Sequence, residues 1–278
     1  MSVERHVTVA AVQMNSGQHA EANLAAALAG IDQAAARGAA LVVLPELFTC
    51  LGRPEAIVAA AQTVPGPTTD ALSGAAARCG LTLVAGSLPE RSEVPGRVWN
   101  TSLVFDAQGT IRARYRKLHR FDVDLPGRVT YRESNWVAAG DEVVVVETPL
   151  GRLGLAICYD LRFPELFRQH AAAGAEWLVV PSAFAEATGR DHWEVLLRAR
   201  AIENQAFVIA ANQCGTHGGA LTTHGHSAIV DPWGRVLAMA ADRPEVITAV
   251  VDRAQLAEVR RQLPALAHRR PLPPTRIG

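Results

Sequence analysis

Two stretches of this chain repeat one another. GAALVVLPELF runs from Gly38 to Phe48 and GAEWLVVPSAF from Gly174 to Phe184, with Gly, Pro and Phe in the same register. Each is an apolar run too short for a buried helix, follows an Ala-rich segment of helical character, and is followed later by a hairpin signal. The expected elements are strands at Val7–Val12, Leu41–Leu44 and Leu81–Ala85, with helices at Glu21–Ala36 and Asp70–Arg78. Trp99–Phe105 and Thr110–Tyr115 flank the turn Asp106-Ala-Gln-Gly109, and Ser227–Val230 and Arg235–Met239 flank Asp231-Pro-Trp-Gly234, so two hairpins are expected. A unit of helix, strand and hairpin occurring twice predicts two packed α/β layers related by an approximate twofold, with sheets inside and helices outside. Nothing divides residues 1–278, which read as one domain with an extended tail from Pro271. Asp191 and Glu194 are spaced as a capping box, and Trp193, Leu196, Leu197 and Ala201 then share one helix face.

With 27 basic and 27 acidic residues, the chain has no net field to draw nucleic acid or an anionic membrane. No run of eighteen apolar residues and no leader pattern is present, so a cytoplasmic location is expected. The four cysteines, at 50, 79, 158 and 214, form no CxxC pair and read as reduced thiols. Neutral charge and a 49% hydrophobic composition favour a large core and a small-molecule ligand.

Three segments hold residues suited to acyl chemistry. In RLGLAICYDLRFPEL an apolar strand ends at Cys158, a polar turn follows, and Pro164 opens a helix. At such an elbow, backbone N–H groups can lower a thiol pKa and bind an oxyanion. Alone, a cysteine there is more often a small core residue. In LVVLPELF, Glu46 directly follows an apolar strand, where an unpaired carboxylate is costly and a general base is useful. In YRKLHRFD, Lys117 ends the first hairpin; it could balance Glu46, and Glu133 in TYRESN could hold the ammonium in place. Ordinary turn and solvated-face readings compete for Glu46 and Lys117.

Taken together, LPELF, YRKLHRFDVDLPG and CYDLRFPEL resemble the nitrilase (carbon–nitrogen hydrolase) superfamily, and the likeness runs from Val7 to about Pro271. The resemblance implies an αββα sandwich, usually a homodimer, with a Glu46-Lys117-Cys158 triad and Glu133 as a second glutamate. Glu46 would take the thiol proton, with Lys117 and the Tyr159 N–H stabilising the oxyanion. A thioester would form and be hydrolysed with no metal or cofactor. The stretch from Pro181 to Gly234 looks like the Nit branch, nearer to deaminated-glutathione amidases than to omega-amidases acting on 2-oxoglutaramate. That implies hydrolysis of a small 2-oxo acid carboxamide to an acid and ammonia, with Arg162, Phe184 and Thr188 as substrate contacts. Arg162 reads equally well as an ion pair with Asp160 or Glu165. The loop Cys214–His224 reads as small and flexible, which leaves specificity open.

Other classes compete weakly. His217, His224 and His226 with Asp191 or His192 could bind a metal, but no HExxH accompanies them. The glycines of 215–225 match no phosphate-binding motif. A papain-like pairing of Cys158 with His192 or His226 leaves Glu46 without a role. A catalytically silent binding protein on the same fold is the non-enzyme alternative.

Overall fold

The computed structural model describes residues 5–127, 129–219 and 221–276. In chain order the first half contains β1 (His6–Gln13), α1 (Ala20–Ala36), β2 (Ala39–Val43), α2 (Pro54–Ala59), α3 (Pro67–Cys79), β3 (Thr82–Val84), β4 (Leu88–Arg91), β5 (Val98–Phe105), β6 (Ile111–Arg116), β7 (Asp122–Leu125) and β8 (Val129–Arg132). The second contains β9 (Val145–Thr148), β10 (Gly151–Leu155), α4 (Pro164–Ala172), β11 (Trp177–Val179), α5 (Glu186–Asn204), β12 (Phe207–Ala210), β13 (Cys214–His217), β14 (Leu221–His224), β15 (Ala228–Val230), β16 (Val236–Met239), β17 (Glu245–Asp252) and α6 (Ala254–Gln262).

The internal repeat is visible in the pairing. One sheet runs β17-β1-β2-β3-β5-β4 with β6 on β5, and the other runs β16-β15-β12-β11-β10-β9. In the first, β1, β2 and β3 are parallel and β5 returns antiparallel; in the second, β10, β11 and β12 are parallel and β15 returns antiparallel. Alternation assigns the faces. Val9, Ala11, Leu41 and Val43 pack in one core with Leu153, Leu155, Trp177 and Val179 of the other sheet. Their neighbours Ala10, Val12, Val42 and Leu44 pack instead with Ala27, Ile31 and Ala34 of α1 and Leu72 and Ala76 of α3. Period-two burial on both faces is what a sheet sandwiched between a second sheet and a helix layer requires. The order of layers is αββα.

Both expected hairpins form. Asp106 Oδ1 accepts the N–H groups of Gln108 and Thr110, and Asp231 Oδ1 those of Trp233 and Arg235. Two expectations need correction. The helix carrying Trp193 begins at Glu186, so Asp191 and Glu194 lie inside α5 and form no capping box. Thr188 and Gly189 are already buried there, and tertiary packing extends the helix a turn beyond the local signal. The segment 214–224 is not a loose loop: β13 and β14 pair antiparallel from Cys214↔His224 to His217↔Leu221. The hairpin β7–β8 has no counterpart among the expected elements. Residues 264–276 carry no helix or strand, and Leu272 is 91% exposed.

Candidate functional site

The parallel strands deliver Glu46 and Cys158 to the same end of the sandwich. Glu46 follows β2 by way of Pro45, and Leu47 takes a left-handed φ of 48° that turns the chain away from the sheet. Gly86 lies directly behind: a Cβ there would stand 2.0 Å from the Pro45 carbonyl oxygen, so only glycine permits the approach. Cys158 likewise has a φ of 47°, at the start of a 3-10 turn spanning Cys158–Arg162. Positive φ at Leu and Cys is strained and persists only where the surroundings impose it. Here the Cys158 N–H is tied to the Pro181 carbonyl at 2.9 Å.

Lys117 arrives from the end of β6 and is 2% exposed. Its ammonium donates to Glu46 Oε1 at 2.8 Å and to Glu133 Oε1 and Oε2, both at 2.9 Å. Three donors are thereby matched by three carboxylate oxygens. Glu46 Oε2 accepts the Ala183 N–H at 2.8 Å, and Glu133 Oε2 accepts the Phe121 N–H at 2.5 Å. The Glu46 carboxylate and the Ala183 N–H both act on the Cys158 thiol. Glu46, Lys117, Glu133 and Cys158 line one cavity of about 30 Å³, walled by Leu51, Phe121, Tyr131, Trp136 and Leu221. It is scarcely larger than a water molecule's share of the liquid.

Electrostatics set the state of the thiol. Burial, followed by the Glu46 carboxylate, pushes the Cys158 pKa well above its usual range, outweighing Lys117 and the Ala183 N–H. The elbow does not yield a resting thiolate. Burial opposes charge on Lys117 too, yet Glu133 and Glu46 together hold its pKa well above the ordinary value. Burial also raises Glu133, against the pull of Lys117.

A further buried carboxylate braces the elbow. Asp160 is fully buried and accepts the Ile157 N–H at 2.8 Å, the Tyr115 hydroxyl at 2.6 Å and the His119 N–H at 3.0 Å; its Oδ1 also lies 2.7 Å from His119 Nδ1. These partners flank Cys158 on one side and Lys117 on the other. His119 in turn stacks on Phe163 at 3.6 Å.

The sequence-derived substrate contacts lie apart from this cavity. Arg162 bonds His192 Nδ1 at 3.1 Å and sits 5.0 Å over the Phe184 ring, with no ion pair to Asp160 or Glu165. Buried Thr188 donates to the Ala185 carbonyl at 3.4 Å. None of Arg162, Phe184 and Thr188 lines the 30 Å³ cavity. The Tyr159 N–H has no hydrogen-bond partner among the described residues. His217 bonds Ser16 and Thr223, and the described residues hold no cluster of metal-ligating side chains. Asn100 is the polar group at the centre that sequence reasoning missed: its Nδ2 donates to Glu46 Oε1 at 2.8 Å. The signal existed, since Asn100, Thr101 and Ser102 are three consecutive polar residues in an otherwise apolar strand.

Comparison with known proteins adds independent findings. The family profile described as carbon-nitrogen hydrolase matches residues 8–261. The chain is 39% identical to human omega-amidase NIT2 over 262 residues, 94% of each chain. It is 42% identical to mouse deaminated glutathione amidase over 268 residues, 95% of this chain and 83% of that one. Among solved structures, the C. elegans NitFhit protein superposes with a TM-score of 0.90 at 39% identity, covering 96% of this chain; the chain spans 66% of that longer protein.

Proposed function

Since the chain belongs to the carbon–nitrogen hydrolase family, we propose that it is a cysteine-dependent amidase acting on a small 2-oxo acid amide, with Glu46 as base, Cys158 as nucleophile and Lys117 as the cation at the reacting centre. The observation that carries this reading is the convergence of Glu46, Lys117 and Glu133 at 2.8–2.9 Å in the cavity that Cys158 also lines.

A thiol with a raised pKa is not a nucleophile until its proton leaves, and Glu46 is the carboxylate that shares its cavity. Sulfur attack on the substrate carbonyl and proton transfer to Glu46 therefore proceed together. The new oxyanion meets the free Tyr159 N–H and Lys117. Once Glu46 holds a proton it is a weaker acceptor, and the Lys117 N–H that it occupied becomes available to the oxyanion. The carbon–nitrogen bond breaks as Glu46 returns the proton to the leaving nitrogen, leaving a thioester. Glu46 then takes a proton from water, the resulting hydroxide adds to the thioester, and collapse releases the acid and the Cys158 thiol. Glu133 holds Lys117 throughout.

A primary amide such as 2-oxoglutaramate releases ammonia. In deaminated glutathione the scissile bond is a secondary amide, and a cysteinylglycine amine leaves. Arg162, which sits over the Phe184 ring, is assigned to the substrate carboxylate, with Phe184 and Thr188 as further contacts. The homodimer reading is supported by an exposed apolar face of Val195 and Ile202 on α5 beside Trp233, at 65%, 48% and 48% exposure. The cytoplasmic reading rests on the four unpaired cysteines, and no described helix is long and apolar enough to cross a membrane.

The test is hydrolysis of 2-oxoglutaramate and deaminated glutathione by the native chain and by Cys158→Ala. Turnover in the native protein, with loss of nearly all of it in a folded C158A, is expected. A folded native protein that binds these amides without cleaving either would favour the silent binding protein.

A further inference from the structure

We propose that Asn100 is a positioning residue that keeps Glu46 in the role of base, presenting one oxygen to the thiol while the other stays occupied. The proposal rests on the amidase reading above.

The two glutamates are not equivalent. Glu133 chelates Lys117 through both oxygens and takes the Phe121 N–H, so neither oxygen is free for proton transfer. Glu46 shares only Oε1 with the ammonium, and Asn100 Nδ2 supplies the second donor to that same oxygen at 2.8 Å. Nδ2 stands 3.5 Å from Glu133 Oε1 as well. Two donors on Oε1 leave Oε2 to do the exchange. The Ala183 N–H meets Oε2 at 2.8 Å and also acts on the Cys158 thiol, and Glu46, Ala183 and Cys158 line one cavity, which puts Oε2 on the thiol side.

The amide orientation follows from its neighbours. Turning Asn100 over would point Oδ1 at two carboxylate oxygens, so the nitrogen must face them. Its cost is visible: Asn100 is 1% exposed and Oδ1 has no partner among the described residues. A buried, half-satisfied amide is retained where its donor is needed. The backbone adds a second constraint, since the Asn100 carbonyl accepts the Lys117 N–H at 2.9 Å. One residue on β5 thus aligns the Lys117 main chain and the Glu46 side chain. When Glu46 is protonated and Lys117 turns to the oxyanion, Asn100 still occupies Oε1, and the proton stays on Oε2, facing the leaving nitrogen.

The experiment compares kcat and KM against pH for native protein, Asn100→Leu and Asn100→Asp, with near-ultraviolet circular dichroism to establish folding. A donor to the charged carboxylate favours that form, so its loss in N100L should move the acid limb of kcat/KM upward by about one pH unit. KM should change little beside kcat. N100D adds a third carboxylate to the pocket and should lose activity at neutral pH, then recover part of it as the introduced carboxyl protonates and regains a donor. Should Leu prevent folding, the isosteric N100D carries the test through its recovery at low pH. A uniform loss of kcat with the acid limb unmoved, or N100D activity that does not recover on acidification, would mean that Asn100 is only a structural strand residue. A native protein inactive on every amide would defeat the amidase reading itself; an active one with an unmoved limb would overturn this proposal alone.

Discussion

His170 should make the protein acid-labile by an amount that can be worked from its surroundings. It lies on α4, fully buried, with its ring against the backbone of β10: a Cβ on Gly154 would stand 2.6 Å from the imidazole. Neither ring nitrogen has a partner among the described residues. Burial lowers its pKa from 6.5 to about 4, with the Asp160 charge only partly opposing the shift. Between these values the unfolded chain carries a proton that the folded one refuses, so stability falls as pH falls through this window and levels off below about 4. A difference of that size corresponds to about 3 kcal/mol. The perturbation is His170→Phe, which keeps a ring at its edge-on contact with Phe167. Urea unfolding of both proteins across this window isolates the His170 share, because every other titrating group is common to both. The native protein should lose about 3 kcal/mol more than H170F on acidification, and H170F should be at least as stable at neutral pH, having shed an unsatisfied imidazole. Parallel stability curves would mean that the buried imidazole takes up its proton as readily in the folded chain as in the unfolded one. The same titration sets a boundary for the Asn100 experiment, whose acid limb must be read on initial rates with unfolding monitored.

Further outcomes follow from the same geometry. Lys117→Met leaves two buried carboxylates facing each other; thermal or urea unfolding should show a loss of roughly 3–5 kcal/mol, and adding Glu133→Gln should return part of it. Leu221 walls both the 30 Å³ cavity and an adjoining pocket of about 610 Å³. Leu221→Ala should join the two and raise kcat/KM for bulky amides relative to small ones; an unchanged ratio would show that substrates enter elsewhere. Tyr115→Phe removes a donor from buried Asp160 and should cost about 1–3 kcal/mol, with kcat reduced as the elbow loosens.

What could be read from the sequence was whatever is local. Short runs rich in Val, Ile and Leu marked β1, β2 and β10, and the turn residues Asp106, Gly109, Asp231 and Gly234 marked both hairpins, because each signal is contained within a few residues. The layers followed from the repeat: Gly38–Phe48 and Gly174–Phe184 end on β2 and β11, equivalent parallel strands of the two sheets. The cavity wall was not legible. Tyr131 and Leu221 come from the hairpins β7–β8 and β13–β14, whose strands are short and polar, with partners that only the assembled sandwich supplies. Asn100 was missed because its meaning depends on Glu46, which is remote in sequence and 2.8 Å away in space.

The state of the thiol has a mechanistic consequence. An elbow with free N–H groups favours a thiolate only if the site is wet or net positive. Here two carboxylates surround one ammonium in a cavity that has room for about one water molecule, and a further negative charge on sulfur would be the least favoured of all. Such a site cannot store an activated nucleophile. In the mechanism proposed above, activation is instead coupled to arrival of the substrate, since the developing oxyanion would be the acceptor that Lys117 turns toward as Glu46 takes the proton. The rate of thiol alkylation by a neutral reagent too large for the cavity should therefore remain low until the pH is well above neutrality, while amide turnover is already fast at neutral pH. Equal pH dependence of the two would mean that the thiolate exists before substrate binds.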